Sequence, residues 1–437
     1  MSEASEVGEN RPPRGLHPGM VIEGVISPPG SKSLAIRSLL AAGLARGRTR
    51  LVGCGPAEDV RAAIEVLISA GLEVEESEDG ALEVLGALPW RPGAPLRCGE
   101  SGTVARLVTA LAALACEAGE RTTVDVRGSL LSRSSTALVE CLRRAGARLE
   151  PAQGADTWPV IVQGVPPPDE LVLSQPASSQ ELSGLLLALA AHAGRRQVVV
   201  EGALPSRPYV EMTIHVLERF GARVEQHAKC WSVRGPMVAP REELAIEPDA
   251  SAAAVALAAG CLSGGSVRVA GFAEDSTQGD LVIVEYLRAF GCDAERRSGA
   301  LFASGLPSRC ADLDLSSAPD LAPVLVAMAA AHALRVGAQA PSSRLRGLET
   351  LNGKECRRVE VLAAGLRALG VDVIETEESL EIGGARPTDG SLVLDPHGDH
   401  RMAFAFALLG LVRVGLSVSS PACVAKSWPD FWEVLGA

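Results

Sequence analysis

Apolar residues in this chain fall into long blocks. Six runs rich in Ala and Leu, such as Leu185-Leu186-Leu187-Ala188-Leu189-Ala190, are apolar on nearly every side. Helices of that kind are buried rather than laid on a surface. Each run opens on a polar residue, near Ser31, Ser101, Ser178, Asp249, Asp320 and Asp399, in steps of 70, 77, 71, 71 and 79 residues. Ser and Asp favour helix starts because their oxygens accept the orphan backbone N–H groups. A second pattern runs in phase: a helix ending in Leu or Phe, then Gly, then an alternating β-prone segment. Its glycines are Gly71, Gly146, Gly221, Gly291 and Gly370, spaced by 75, 75, 70 and 79. Glycine suits the left-handed residue that ends a helix, and segments such as Ala222-Arg223-Val224-Glu225 alternate as half-buried strands do.

The chain therefore reads as six copies of one αβ unit. Over 437 residues two domains are expected. The proline-rich stretches at Pro28-Pro29-Gly30 and from Pro240 to Pro248 are where the chain would pass between them. The expected class is α/β, with two pseudo-symmetric domains of three repeats each. Residues 21–30 with 248–437 would form a discontinuous domain and 31–247 an inserted one. Residues 1–20, polar and rich in Pro and Gly, would be a weakly ordered tail without the apolar run of a signal peptide.

Composition narrows the chemistry. A net charge of −12 gives no basic footprint for nucleic acid. The uncharged stretch from Ala250 to Val267 reads as a buried helix and turn, not a membrane span. The ten cysteines form no CxxC pair and the seven histidines no ligand cluster. Free thiols in a reducing cytoplasm and no metal are expected; His397 and His400 lie among Pro and Gly.

The helix starts carry the candidate chemistry. They read Gly30-Ser31-Lys32-Ser33 with Arg37, Gly99-Glu100-Ser101-Gly102-Thr103 with Arg106, Ser178-Ser179-Gln180, Asp249-Ala250-Ser251, Pro319-Asp320, and Gly398-Asp399-His400-Arg401. Helix N-termini attract anions, and Lys32, Arg37, Arg133, Arg358, Arg401 and Lys426 would add formal charge. Any one of these polar residues alone could be a simple cap. Their recurrence at one phase points instead to small, multiply anionic substrates. The first motif lacks the GxxxxGK[ST] spacing of a nucleotide phosphate loop.

Taken together, PGSKS at 29–33, GESGT at 99–103, SSQ at 178–180, SRPY at 206–209, DHRM at 399–402 and AKSWPDFW at 425–432 resemble the EPSP synthases, a family of enolpyruvyl transferases, from about Val21 to the end. The resemblance implies two domains of βαβαββ-type units, with buried helices whose N-termini face a cleft that closes over the substrates. It implies transfer of the carboxyvinyl group of phosphoenolpyruvate (PEP) to the 5-hydroxyl of 3-phosphoshikimate, with no metal or organic cofactor, in a cytoplasmic monomer. By the same resemblance Asp320 is the base, and Glu355, assisted by Lys354, exchanges a proton with the methylene carbon. Lys32, Gly102, Arg133, Gln180, Arg358, Arg401 and Lys426 lie on the PEP side. Lys32, Ser33, Arg37, Ser178, Ser179, Gln180, Ser206, Tyr209, Asp320 and Lys354 contact the acceptor. The chain departs from the family pattern at Ile36, Glu100, Ser134, Thr350 and Arg357, mostly on the acceptor side. A paralogue acting on another shikimate-like acid and a catalytically silent binding relative are the alternatives; the cell-wall relative, with its loop cysteine acid, fits poorly because Cys98 lies against a helix start.

Overall fold

The computed structural model describes residues 12–152 and 157–437. The chain divides into two compact units. One, the insert unit, is Pro29–Glu247; the other, the terminal unit, joins the chain up to Pro28 to Pro248–Ala437. Each has its own core of small aliphatic side chains.

The described residues form five four-stranded sheets and one two-stranded sheet. In every four-stranded sheet a short edge strand pairs in parallel with a second strand, which pairs antiparallel with the end of a hairpin. In the insert unit, Leu96–Arg97 lies parallel to Arg121–Asp125 and Glu170–Ser174 parallel to Gly194–Glu201. An apolar helix, Gly102–Leu114 or Ser179–Ala190, fills each crossover. The third sheet takes its edge strand, Leu244–Ala245, from the far end of the unit, against Gly47–Val52. The terminal unit does the same in reverse: Gly24–Val25 pairs with Ser266–Ala270. Each passage between units thus follows a strand that completes the sheet of the unit being left.

The buried helices follow from their composition. In Ala250–Ser263 every residue from Ala252 to Leu262 is buried, which small side chains permit by letting neighbouring backbones approach. A Cβ at Gly184 would stand 3.1 Å from Leu107 Cα of the adjoining helix, so glycine sets that close packing. The run Pro319–Val336 is long and apolar enough to cross a bilayer, yet most of it is buried within its own unit. The five repeat glycines all have left-handed φ, from 78° at Gly370 to 96° at Gly146, as their place after a helix end requires.

Three expectations are corrected. Residues 12–20 are not a loose tail: Arg14 bridges Val418 in both directions and Leu16 is buried. Residues 1–11 lie outside the described residues. The sixth repeat is not a full copy: Leu392–Leu394 and Leu416–Val418 form a two-stranded sheet with no hairpin, and an aromatic cluster of Phe404, Trp428, Phe431 and Trp432 closes that end. Finally, Asp320 caps no helix. It lies inside the 3-10 turn Pro319–Leu321, and the helix Ala322–Val336 starts without a side-chain cap.

Candidate active site

The other five helix starts are capped as their sequences indicate. Ser31, Ser101, Ser178, Asp249 and Asp399 each accept from a backbone N–H of the first turn. Around these starts each unit gathers a charged cluster.

In the insert unit, Lys32 Nζ pairs with the buried Asp59 Oδ2 at 3.0 Å. The Arg37 guanidinium is fully buried. Its Nε donates to Thr213 Oγ1 at 2.8 Å and its Nη1 to the Ser33 carbonyl at 2.9 Å. Its Nη2 has no hydrogen-bond partner among the described residues, and its charge lies 5.9 Å from the Tyr209 ring centroid. Burial brings its pKa down to about 10, opposed by Tyr209. A buried cation with an unused donor suits an anion. Ser206 stands just before Tyr209 with φ of 50°, and its carbonyl accepts from the Tyr209 N–H.

A second group forms where two helix starts meet. Arg106 Nη1 donates to Gln180 Oε1 at 3.0 Å and to the Gly102 carbonyl at 3.3 Å, while Gln180 Nε2 donates to Thr103 Oγ1 at 2.9 Å. A Cβ at Gly102 would stand 3.1 Å from Arg106 Nη1, 3.2 Å from Arg133 Nη1 and 3.4 Å from Leu130 Cδ2. Gly102, Arg133 and Gln180 are therefore brought together. Ser178 spends its hydroxyl on the cap and Ser179 is buried. Glu100 packs its carboxylate against Gly128, whose φ is 61°.

The terminal unit holds the denser cluster. Arg358 is 1% exposed and joins three acids. Its Nε donates to Asp399 Oδ2 at 2.7 Å, Nη1 to Asp320 Oδ1 at 2.9 Å and Nη2 to Glu355 Oε2 at 2.8 Å. Arg401 donates from Nη2 to Asp320 Oδ2 at 3.2 Å and from Nη1 to the Asp320 carbonyl at 3.0 Å. Lys354 Nζ lies 3.5 Å from Asp320 Oδ1, and Lys426 Nζ 3.0 Å from Glu355 Oε1. All six expected residues of this unit thus form one network. Burial favours the neutral acid at Asp320, but Arg401, Lys354 and Arg358 outweigh it and hold the carboxyl well below its usual range. For Lys354, Asp320 supports the charge while burial and Arg358 oppose it, and the net direction is downward.

Sequence reasoning missed several partners. Asp59, Ser135 and Asp280 carry no local signal. Glu181 carries one: it is the only charge in the apolar helix Ser179–Ala190. Among the departures, Ile36 is buried in the core and Arg357 is exposed beside Glu360 at 2.6 Å. Ser134 is exposed and bonds Thr136. Asn352 Oδ1 accepts from Val359 N–H at 3.1 Å at the start of the helix Arg358–Ala368. Cys98 is fully buried, and that burial pushes its thiol far up, unlike an exposed acid. All ten cysteines are free. Among the described residues no group of three or more His, Cys, Asp or Glu could hold a metal ion.

Known proteins resemble this chain over nearly its full length. Residues 16–435 match the family model described as EPSP synthase (3-phosphoshikimate 1-carboxyvinyltransferase). The 3-phosphoshikimate 1-carboxyvinyltransferase of Methanopyrus kandleri is 37% identical over 425 residues, covering 95% of this chain and 96% of that one. That of Thiobacillus denitrificans is 34% identical, covering 94% and 95%. EPSP synthase from Acinetobacter baumannii superposes with a TM-score of 0.76 at 25% identity, over 97% of each chain. The enolpyruvyl transferase NikO from Streptomyces tendae, at 18% identity and a TM-score of 0.73, shares the fold. By its sequence over almost its whole length, this chain belongs to the EPSP synthase family.

Proposed function

We propose that the chain transfers the carboxyvinyl group of PEP to the 5-hydroxyl of 3-phosphoshikimate, releasing phosphate. The observation that carries this reading is the terminal cluster: one carboxylate, Asp320, kept ionised by three cations, beside a second, Glu355, flanked by Lys426 and Arg358. Protonation of PEP at its methylene carbon leaves a cation-like centre at C2. The acceptor hydroxyl attacks there and loses its proton. Phosphate then leaves as a methyl proton is taken. Two separate proton-handling groups serve this sequence.

Asp320 is the acceptor of the hydroxyl proton; its ionised state at neutral pH suits a base. Glu355, with Lys354, exchanges the proton at the methylene carbon. Lys354, whose proton is loosened by burial, suits that exchange. Both substrates carry a phosphate and a carboxylate, so fixed cations stabilise ground and transition states. Lys32, Gly102, Arg133, Gln180, Arg358, Arg401 and Lys426 are read as the PEP side. Ser33, Arg37, Ser178, Ser179, Ser206 and Tyr209, with Lys32, Gln180, Asp320 and Lys354, are read as the acceptor side. The reading calls for no metal or organic cofactor and for a cytoplasmic monomer, which light scattering would test.

Purified protein with PEP and 3-phosphoshikimate should release phosphate and yield a product heavier by the carboxyvinyl group. Absence of turnover with that acceptor would refute the reading.

A further inference from the structure

Asp280 is a carboxylate only 5% exposed, in the 3-10 turn Gly279–Val282. Burying a carboxylate costs free energy unless it is well partnered. Its partner is the Ser251 hydroxyl, which donates to Oδ2. The same Ser251 oxygen accepts from Arg401 Nη2 at 3.2 Å. Two further bonds dock the turn onto the helix start that carries Ser251. Gln278 Oε1 accepts from the Ala250 N–H at 3.0 Å, and Gln278 Nε2 donates to the Pro248 carbonyl at 2.8 Å. The groups facing Asp280 are Arg401 from its helix, Asp320 from its turn, and Asp249 from the cap.

A serine hydroxyl has one hydrogen and two lone pairs. Asp280 takes the hydrogen, so a lone pair is turned to Arg401. Without the acid the hydroxyl is free to rotate, and Arg401 loses a fixed acceptor. A second carboxylate placed directly on Arg401, which already pairs with Asp320, would compete with any incoming anion. One hydroxyl away, the acid orients the guanidinium without that competition. The insert unit repeats the arrangement: Ser135 Oγ donates to the fully buried Glu181 Oε1 at 2.8 Å and accepts from Arg106 Nε at 3.1 Å.

We propose that Asp280, acting through Ser251, is a positioning residue that holds Arg401 in place for PEP and for Asp320. This rests on Arg401 being a PEP ligand and Asp320 the base. Burial raises Asp280 to about 6, opposed by Arg401, so at neutral pH the acid is ionised and accepts from Ser251.

Kinetics of Ser251→Ala, Ser251→Thr, Asp280→Ala and the double alanine variant test it. A hydrogen bond to a charged group predicts a loss of ~10- to 100-fold in kcat/KM for PEP in each single alanine variant. KM for the acceptor should stay within about twofold, since Arg401 is read on the PEP side. Ser251→Thr keeps the hydroxyl and should restore most of the loss. The double variant should lose no more than either single, because one relay is broken once. Multiplying losses, wild-type kinetics in Asp280→Ala, or failure of Ser251→Thr to rescue would overturn the proposal. Wild-type turnover separately decides the functional reading. Should that reading fail, the relay is judged without substrate, by the carboxyl ¹³C titration of Asp280, assigned by its loss in Asp280→Asn. Its midpoint should rise when Ser251→Ala removes a bond to the ionised form; an unchanged midpoint refutes the relay.

Discussion

Replacing Asp399 by Ala should loosen the start of the helix His400–Gly410 more than any other single change in the cluster. Asp399 has no solvent exposure. Its carboxylate accepts from Arg358 Nε at 2.7 Å, from Arg358 Nη2 at 3.3 Å and from the Arg401 N–H at 2.9 Å. Loss of the cap costs about 1 kcal/mol. Breaking a buried ion pair by removing one partner costs about 3–5 kcal/mol, because the remaining charge stays buried. Arg358 retains Asp320 and Glu355, which places that second cost at its lower end. The total is about 4 kcal/mol. Asp399→Asn keeps the capping oxygen and loses only the charge, so about 3 kcal/mol is expected. Hydrogen exchange of the helix amides reads the local opening directly. At 1.4 kcal/mol per decade, Asp399→Ala should speed exchange about a thousandfold. Exchange within tenfold of the parent in Asp399→Ala would show that the hub is not what anchors this helix start.

Asp320→Asn should lower kcat by ~100- to 10,000-fold, the usual worth of a positioned base, while PEP binding measured by calorimetry is kept; unchanged turnover would overturn the assignment. Gly102→Ala places a methyl within 3.1 and 3.2 Å of two guanidinium nitrogens. Gly102 is the first residue of its helix, outside the interior where Ala is favoured over Gly by about 1 kcal/mol, so Tm should change little while KM for PEP grows about tenfold; a changed acceptor KM alone would refute this placement. Asp280→Asn should make stability less dependent on acid. The folded pKa of about 6 lies above the ordinary value of 3.8, so the folded state binds the proton more tightly and stability falls as pH rises from 4 to 6. The variant lacks that fall, so its advantage in urea midpoint should grow across this range and level off by pH 7; a constant difference would exclude the titration.

The fold was legible where one local rule sufficed. Apolar runs gave the buried helices, Ser and Asp gave five caps, and glycines gave the helix ends, because each depends on residues within one or two turns. The edge strands were harder. Leu244–Ala245 and Gly24–Val25 are two residues long, too short for a period, and their partners are far away in sequence or in the next repeat. The bridge from Arg14 to Val418 spans nearly the whole chain, so nothing near Arg14 could announce it. Composition suggested a loose tail and could not show that Leu16 covers Gly410, where a Cβ would meet the Leu16 carbonyl at 2.3 Å.

The failure at Asp320 is the informative one. A cap must spend its oxygens on backbone N–H groups, as Asp399 spends one on Arg401. Asp320, drawn into the turn Pro319–Leu321, spends both on side-chain cations instead: Oδ1 on Arg358 and Lys354, Oδ2 on Arg401. The helix behind it begins uncapped, a cost of about 1 kcal/mol. Proline at the second position softens that cost, since Pro323 has no N–H to satisfy. Local stability has been given up at the one helix start whose carboxylate is assigned a proton, and such conflicts between local preference and observed structure gather at functional sites. Loosening the turn tests the point. In Leu321→Ala, the loss of a fully buried leucine from this turn should lower the urea midpoint by the equivalent of about 2–5 kcal/mol. If Asp320 is held by its cations rather than by the turn, kcat of the folded protein should stay within about threefold, as the change removes no charged hydrogen bond. A collapse of kcat with intact PEP binding would mean that the uncapped turn itself sets the position of Asp320.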